Sequence, residues 1–402
     1  MLLYYNKSFF WLLVERRGSV FYRWDSILGG LVVAGLGILV QYWLDRALHH
    51  GFEPSPVIFH HYGFQALGVG VTFAIVFRTQ LAWNRYWEAV TQLHFMYSKW
   101  ADAFSQFQAF AEVTRKAALE KGDQTKADRI ERKQRRLKVN YALLSTVAAD
   151  RLTQGDNQRM EEVHARGVQT RGSMRIDKEK SGWIPPKMSE RKVFNRAKSN
   201  DDDHEYVVFQ KPSKHQVELL GQSNDAISSV MYWIIWDLAD VMKDIDIAPP
   251  IQSRMYQELS NGMLGFNNCL KIADVPFPLP FAQLLGLLLV AFSLLIPVYV
   301  IVFTRSPVAG PILSFLLFES IWCLNEVAKE LENPFGQDTN DITLTDFHLN
   351  FVDSLEDVSM PEHNEMLHHP TMGLEDDWGG NSGHSHSQDS DKTLASAPGM
   401  SL

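Results

Sequence analysis

The chain has 402 residues, is 46% hydrophobic, and carries a formal net charge of -9 from 38 Lys and Arg against 47 Asp and Glu. That length suits one large domain or two smaller ones, and the acidic balance gives no overall attraction to nucleic acid. The two cysteines, Cys269 and Cys323, lie far apart in helical contexts, so a disulfide framework or a CxxC metal site is not supported and both read as buried thiols. The near-neutral mean hydropathy conceals a segmented chain, with apolar residues gathered toward both ends and charges in the middle.

Residues 1–26 form an N-terminal segment. Its start, MLLYYNKSFF, is too aromatic and too poor in small residues to read as a signal or transit peptide. Residues 27–81 hold the first two apolar spans. Ile27–Leu44 is nearly free of charge and long enough to cross roughly 30 Å of hydrocarbon at about 1.5 Å per residue. Its glycines suit close helix contacts. Val57–Phe77 is the second span, less apolar because of His60, His61 and Gln65, and it runs without a break into FRTQLAWNRYWEA. Within it Val69, Phe73 and Phe77 recur at i, i+4 and i+8, which places them on one face of a helix. Such a face lines a narrow passage or packs against other helices.

Residues 82–278 read as a helical layer outside the membrane. Trp83, Trp87, Val90, Tyr97, Trp100, Phe104 and Phe107 keep helical spacing, so the second span extends well beyond the bilayer, and packing against neighbours is the favoured role for this stripe. A charged insert comes next, residues 115–214, with the helix KADRIERKQRRLKV and a run ending in Ser199, Asn200, Asp201, Asp202 and Asp203. Its Lys and Arg suit anionic lipid or nucleic acid, but the interleaved Glu120, Asp128 and Glu131 favour a solvated helix with i, i+4 ion pairs. A further helix is expected over residues 225–247, with Ile227, Val230, Ile234, Leu238 and Val241 on one side and Pro249-Pro250 stopping it. Another, carrying Ile251, Met255, Leu259, Met263, Phe266 and Leu270, leads back to the membrane.

Residues 279–324 hold the third and fourth spans. Leu279–Phe303 is the most apolar segment, and its Pro297 is tolerable where neighbours satisfy the freed carbonyl. Val308–Leu324 carries Glu319, which should face other helices or a water-filled cavity and not lipid. The competing reading for all four spans is buried core helices of a soluble protein. Lys7, Arg16, Arg17 and Arg23 precede the first span, against Arg46 and Arg305 in the loops after the first and third, so the positive-inside rule puts the N-terminus inside. Arg78–Pro278 and the C-terminus then share that side. Residues 325–358 contain an NPFG turn and a packing segment, and residues 359–402 form a Gly-, Ser-, His- and acid-rich tail expected to be disordered. His363, His368, His369, His384 and His386 in that tail suit at most weak transition-metal binding, lacking Cys and fixed helical spacing.

Three stretches carry a resemblance: FRTQLAWNRYWEA, VPFPLPFAQLLGLLL and, most specifically, ELENPFGQDTNDITL from Glu330 to Leu344. They resemble the bestrophin family of anion channels, closer to its bacterial and plant-type branch than to the animal one. The resemblance implies an all-α membrane protein: four transmembrane helices and a helical cytosolic or stromal layer, assembled as a homopentamer around one axial pore. It implies selectivity for chloride, bicarbonate or other small anions. It makes Val69, Phe73 and Phe77 the pore neck and Arg85 the neck-flanking arginine. Val69 stands where relatives often hold Ile, implying a slightly wider top ring. Phenyl edges carry positive quadrupole, so a ring of them can partly replace an anion's lost hydration, and a narrow apolar ring can gate by dewetting. A second, cytosolic constriction is implied but is not located in the sequence. Animal members bind Ca²⁺ after the NPFG motif. By position the carboxylates would be Asp338 and Asp341, and the backbone carbonyls those of Glu330 and Asn333. Gln337, Thr339 and Asn340 interrupt the dense acidic pattern, and an Asx-type turn stabilised by Asp338 is the other reading. No cofactor is required by the resemblance.

Two other function classes stand beside the channel. A membrane scaffold or tether would use the long insert and the tail. A secondary transporter would need midplane coupling groups and an inverted repeat, and offers Glu319 alone and no repeat. An enzyme is disfavoured, since no HExxH, P-loop, strand-linked GxGxxG or nucleophile motif occurs. The expected partners are small anions, the lipid bilayer and further copies of the chain, with no nucleic acid. The expected location is a multi-pass position in a plasma membrane or a plastid thylakoid membrane, with both termini on the cytosolic or stromal side.

Overall fold

The structure is a computed structural model that describes residues 16, 18–50, 61–166, 183–190, 205–245, 247–304, 306–336 and 338–360, without the side chains of residues 61 and 154–166. The chain divides into two units, Met1–Glu356 and Asp357–Leu402. Of the second only residues 357–360 are described, so the histidines proposed in the tail lie outside the described residues.

A 3-10 turn, Val20–Tyr22, leads into α1 (Trp24–His49). Next come α2 (His61–Glu120) and α3 (Gln124–Arg166). Two short strands, β1 (Met188–Glu190) and β2 (Tyr206–Val208), pair in parallel with Met188 opposite Tyr206, a small departure from an all-helical chain. The remaining helices are α4 (Lys214–Gln222), α5 (Ala226–Val241), α6 (Pro249–Asp274), α7 (Leu279–Thr304), α8 (Ala309–Glu332) and α9 (Leu344–Val358). Among the described residues, four helical stretches are long and apolar enough to cross a membrane: Trp24–His49, Tyr62–Glu120, Leu279–Thr304 and Ala309–Glu332. The second continues far past any bilayer, because its 60 residues rise to about 90 Å at about 1.5 Å each.

Two packed regions hold these helices together. One buries Val33 of α1, Val71 and Ile75 of α2, Leu285, Leu289, Phe292 and Ile296 of α7, and Phe318 of α8. Close approach of α1 to α8 needs Gly30, where a Cβ would sit 2.7 Å from the Phe315 ring. Glu319 faces α1 as its place in an apolar helix requires, accepting from Ser26 Oγ at 2.9 Å and from Cys323 Sγ at 3.3 Å. The other region buries Trp100, Phe104 and Phe107 of α2 against Tyr141 of α3 and Phe351 of α9, with the Phe104 and Tyr141 rings 5.3 Å apart. Cys269 and Cys323 are free and buried, as their contexts indicated.

Several expectations change. The aromatic stripe divides: Tyr97, Trp100, Phe104 and Phe107 are core, whereas Trp83 and Trp87 are exposed and stack on each other 6.1 Å apart. The charged helix of the proposed insert is more than a solvated face. The Glu131–Arg135 pair forms on its outside, but Ile130, Leu137, Tyr141 and Leu144 are fully buried. The helix expected to run to Ile247 ends at Val241, and Asp225 caps its start by accepting from the amides of Ile227 and Ser228. Pro249-Pro250 open α6 instead of ending α5, since a proline at the first helical position gives up an amide that has no partner there.

Candidate functional site: an unburied helix face and the turn behind it

On α2 the inward positions Val71 and Ile75 are fully buried, while Val69 and Phe73 are each 72% exposed and Phe77 is 47% exposed. The three residues sit on one face, as their spacing required. Exposed apolar residues also mark α1 and α7, where Leu39 and Leu287 are examples, so an apolar surface alone says lipid. The α2 face differs in its polar continuation: on the same side come Gln80, Asn84, Trp87 and Thr91, all exposed. The Phe77 ring meets Phe281 of α7 edge-on at 6.1 Å, and Phe281 meets Phe277 at 5.5 Å.

Immediately after Phe77 the chain turns a cation inward. Arg78 is 5% exposed; its Nε and Nη2 donate to the Glu332 carboxylate at 2.5 and 2.9 Å, and Nη1 donates to Asn325 Oδ1 at 2.8 Å. The guanidinium also lies over the Phe277 ring, 5.4 Å from its centre. A bidentate arginine–carboxylate pair fixes direction as well as distance, so α2 is pinned to the end of α8 one residue from Phe77. Sequence reasoning missed this anchor. An ionisable residue directly after an apolar run was the available signal, but Glu332 is 254 positions away. Arg85 does not join the Val69 face. Its Nη2 donates to the carbonyls of Ile272 and Val275, capping the C-terminal end of α6, where a cation suits the helix dipole.

Glu332 leads into the NPFG turn. Phe335 is buried, and a Cβ at Gly336 would collide with the Asp341 carboxylate, so glycine is required. The amide of Asp338 donates to Asp341 Oδ2 at 2.7 Å, the amide of Asp341 donates to the Asp338 carbonyl at 3.1 Å, and Ile342 N–H donates to the Pro334 carbonyl at 2.9 Å. The carboxylate that closes the turn is therefore Asp341's, which is buried, while Asp338 is exposed. Asn340 ties the turn outward, donating from Nδ2 to Glu330 Oε2 at 2.8 Å and to the Gly18 carbonyl at 2.9 Å. Glu330 also meets Arg23 at 3.5 Å.

Burial, then the nearby charges of Asp338 and Glu330, push the Asp341 carboxyl up to about 7 against the pull of the Asp338 amide. Burial is the larger cause, and Arg23, Arg78 and Lys329 pair with the glutamates at the C-terminal end of α8. Among the described residues no group of three or more His, Cys, Asp or Glu gathers as a metal cluster. The donors on offer at the turn are hard oxygens, and that set suits a calcium ion better than a transition metal.

Four long apolar helices, one of which carries an unburied face from an apolar into a polar stretch, mark a membrane protein. The family model described as bacterial and fungal bestrophin matches residues 3–357, and the chain belongs to the bestrophin family, a family of ion channels. Solved structures agree in fold. A mutant of a bacterial bestrophin homologue from Klebsiella pneumoniae is 14% identical with a TM-score of 0.57, covering 83% of this chain and 98% of that one. The same homologue phased with zinc is 13% identical with a TM-score of 0.56, covering 83% and 97%. A crystal structure described only as that of a mutated membrane protein is 14% identical with a TM-score of 0.56 and the same coverage of 83% and 97%. No curated protein matches the chain.

Proposed function

We propose that five copies of the chain surround one axial pore and pass chloride and other small anions, bicarbonate among them, passively through a neck formed by Val69, Phe73 and Phe77. The observation that carries this reading is the α2 face that stays unburied through both its apolar and its polar stretches, which lipid contact alone does not account for. In such an assembly the rings of Phe73 and Phe77 present positive edges that favour an anion that has shed water over a cation, and the apolar girdle can dewet. The Arg78–Glu332 pair holds the helix rotation that aims Phe77. The membrane is a plasma membrane or a thylakoid, with both termini on the cytosolic or stromal side.

Purified protein in planar bilayers should carry an anion current, and Phe73→Ala with Phe77→Ala should alter its conductance, gating or selectivity. Unchanged currents in the double variant would remove the neck from these residues. A protein that inserts yet carries no current would be a scaffold.

The turn supplies the regulatory half of the proposal. Asp338 and Asp341, with the carbonyls of Glu330 and Asn333, would hold Ca²⁺, and the bound ion would hold the Asp341 carboxyl in its charged form against its burial. Calcium added to chelator-treated protein should raise its melting temperature, and Asp341→Asn should abolish that rise. An equal rise in both proteins places calcium elsewhere.

A further inference from the structure

Below Phe77 the same helix face changes from phenyl to carboxamide. Gln80 lies seven residues after Phe73, and Asn84 lies seven after Phe77, two helical turns in each case, so both amides continue the line of the three apolar residues. Both are exposed, and Gln80 Nε2 donates to Asn84 Oδ1 at 3.2 Å. Each carboxamide has two N–H donors. One of the pair's four is spent on the mutual bond, in either orientation of the two amides, which leaves three on an exposed face.

The charged groups around them point elsewhere. Arg78 is committed to Glu332 and Asn325, and Arg85 to the end of α6. Glu88 pairs with Lys271 at 3.0 Å. Thr79 spends its hydroxyl on the Ile75 carbonyl of its own helix at 2.9 Å. A neutral, donor-rich pair thus stands on the line next to the neck. Neutral donors suit a conduction path, because an ion must bind well enough to enter and weakly enough to leave, and a fixed cation at this point would hold it.

We infer that Gln80 and Asn84 form an anion-coordinating amide ring at the inner mouth of the neck, rehydrating a small monovalent anion through N–H donors as it leaves the phenyl edges. The inference rests on the proposed pore. It adds to that pore a separate site with a separate chemistry: the phenyl edges of the girdle give way to N–H donors that can bind the anion directly.

The test is reversal potential and conductance in planar bilayers under a sodium chloride gradient, with Asn84→Asp, Asn84→Leu and Gln80→Glu alongside Phe73→Ala/Phe77→Ala. Each variant is first shown to elute and melt as the parent does. Asn84→Asp and Gln80→Glu should lower the chloride-to-sodium permeability ratio about tenfold or more, the factor that about 1.4 kcal/mol of a charge-assisted hydrogen bond represents. Asn84→Leu, which removes donors without adding charge, should lower chloride conductance and keep the sign of selectivity. If these variants match the parent while the phenylalanine variant does not, the amide ring is wrong and the neck stands. If every variant matches the parent, the pore is not on this face and both readings fall. Should Asn84→Asp fail to fold, Asn84→Leu and Gln80→Glu decide alone.

Discussion

His348 is fully buried between three elements, and its two nitrogens are both used. A carbonyl can only accept, so Nε2–H donates to Val207 at 2.7 Å, and Nδ1 is left to accept from the Ser145 hydroxyl at 2.6 Å. The Tyr206 ring stands edge-on 5.4 Å away, and the Tyr97 hydroxyl lies 3.5 Å from Ser145 Oγ, so the titratable groups in this contact network are phenols, which do not offset a positive imidazole. Burial pushes the imidazole down to about 4, with the Val207 carbonyl pulling weakly the other way. Because the folded value lies below the unfolded one, this residue's contribution is whole above about 6.5 and is lost as pH falls toward about 4. The loss is at most about 3 kcal/mol. Melting in detergent should therefore drop between about pH 7 and about pH 5. His348→Gln, which keeps a donor and an acceptor without a charge, should flatten that slope; a slope unchanged in this variant would assign the pH dependence to other groups.

At the scale of elements, α2 organises the molecule, and its tightest neighbour is α6. A Cβ at Gly265 would lie 2.9 Å from the backbone nitrogen of Met96, so the two helices touch backbone to backbone. Gly265→Val should then cost several kcal/mol, on the order of 3, by forcing α6 off α2. Gly286 of α7 has nothing within 4 Å of the same ideal position, and Gly286→Val should leave the melting temperature nearly unchanged. Equal effects of the two substitutions would contradict this packing. Legibility in the sequence divides the same way, between local and distant. Val69, Phe73 and Phe77 were readable because a face is set by spacing within one helix. The buried line Ile130, Leu137, Tyr141 and Leu144 was also periodic, but dense Lys and Arg around it favoured a solvated helix. Pro249-Pro250 were legible as a boundary and misread in direction, since proline serves helix starts as well as stops. Arg78–Glu332 and the tie from Asn340 to Gly18 join residues hundreds of positions apart, and no local pattern encodes them.

At the scale of the whole molecule, a single chain leaves Val69, Phe73, Trp83 and Trp87 facing outward along one helix roughly 90 Å long. Lipid can cover the part within about 30 Å of hydrocarbon, but the remainder of that face lies beside water or another protein copy. The proposed ring would resolve this geometry: with identical α2 helices around an axis, the apolar part would form a neck and the polar part an aqueous vestibule, and no copy would have an unmatched edge. Five copies of 45.9 kDa give 5 × 45.9, about 230 kDa, which native mass spectrometry of the detergent-stripped protein should report. Phe73→Cys places one thiol per copy on this exposed face, alongside the buried Cys269 and Cys323. Mild oxidation should link neighbours across the neck in pairs, since each thiol can form one bond, and a short bifunctional maleimide should likewise link neighbours within the same closed ring. A mass of two copies, or cross-linking that depends on protein concentration, would place this face at a different contact and leave the axial pore without its lining.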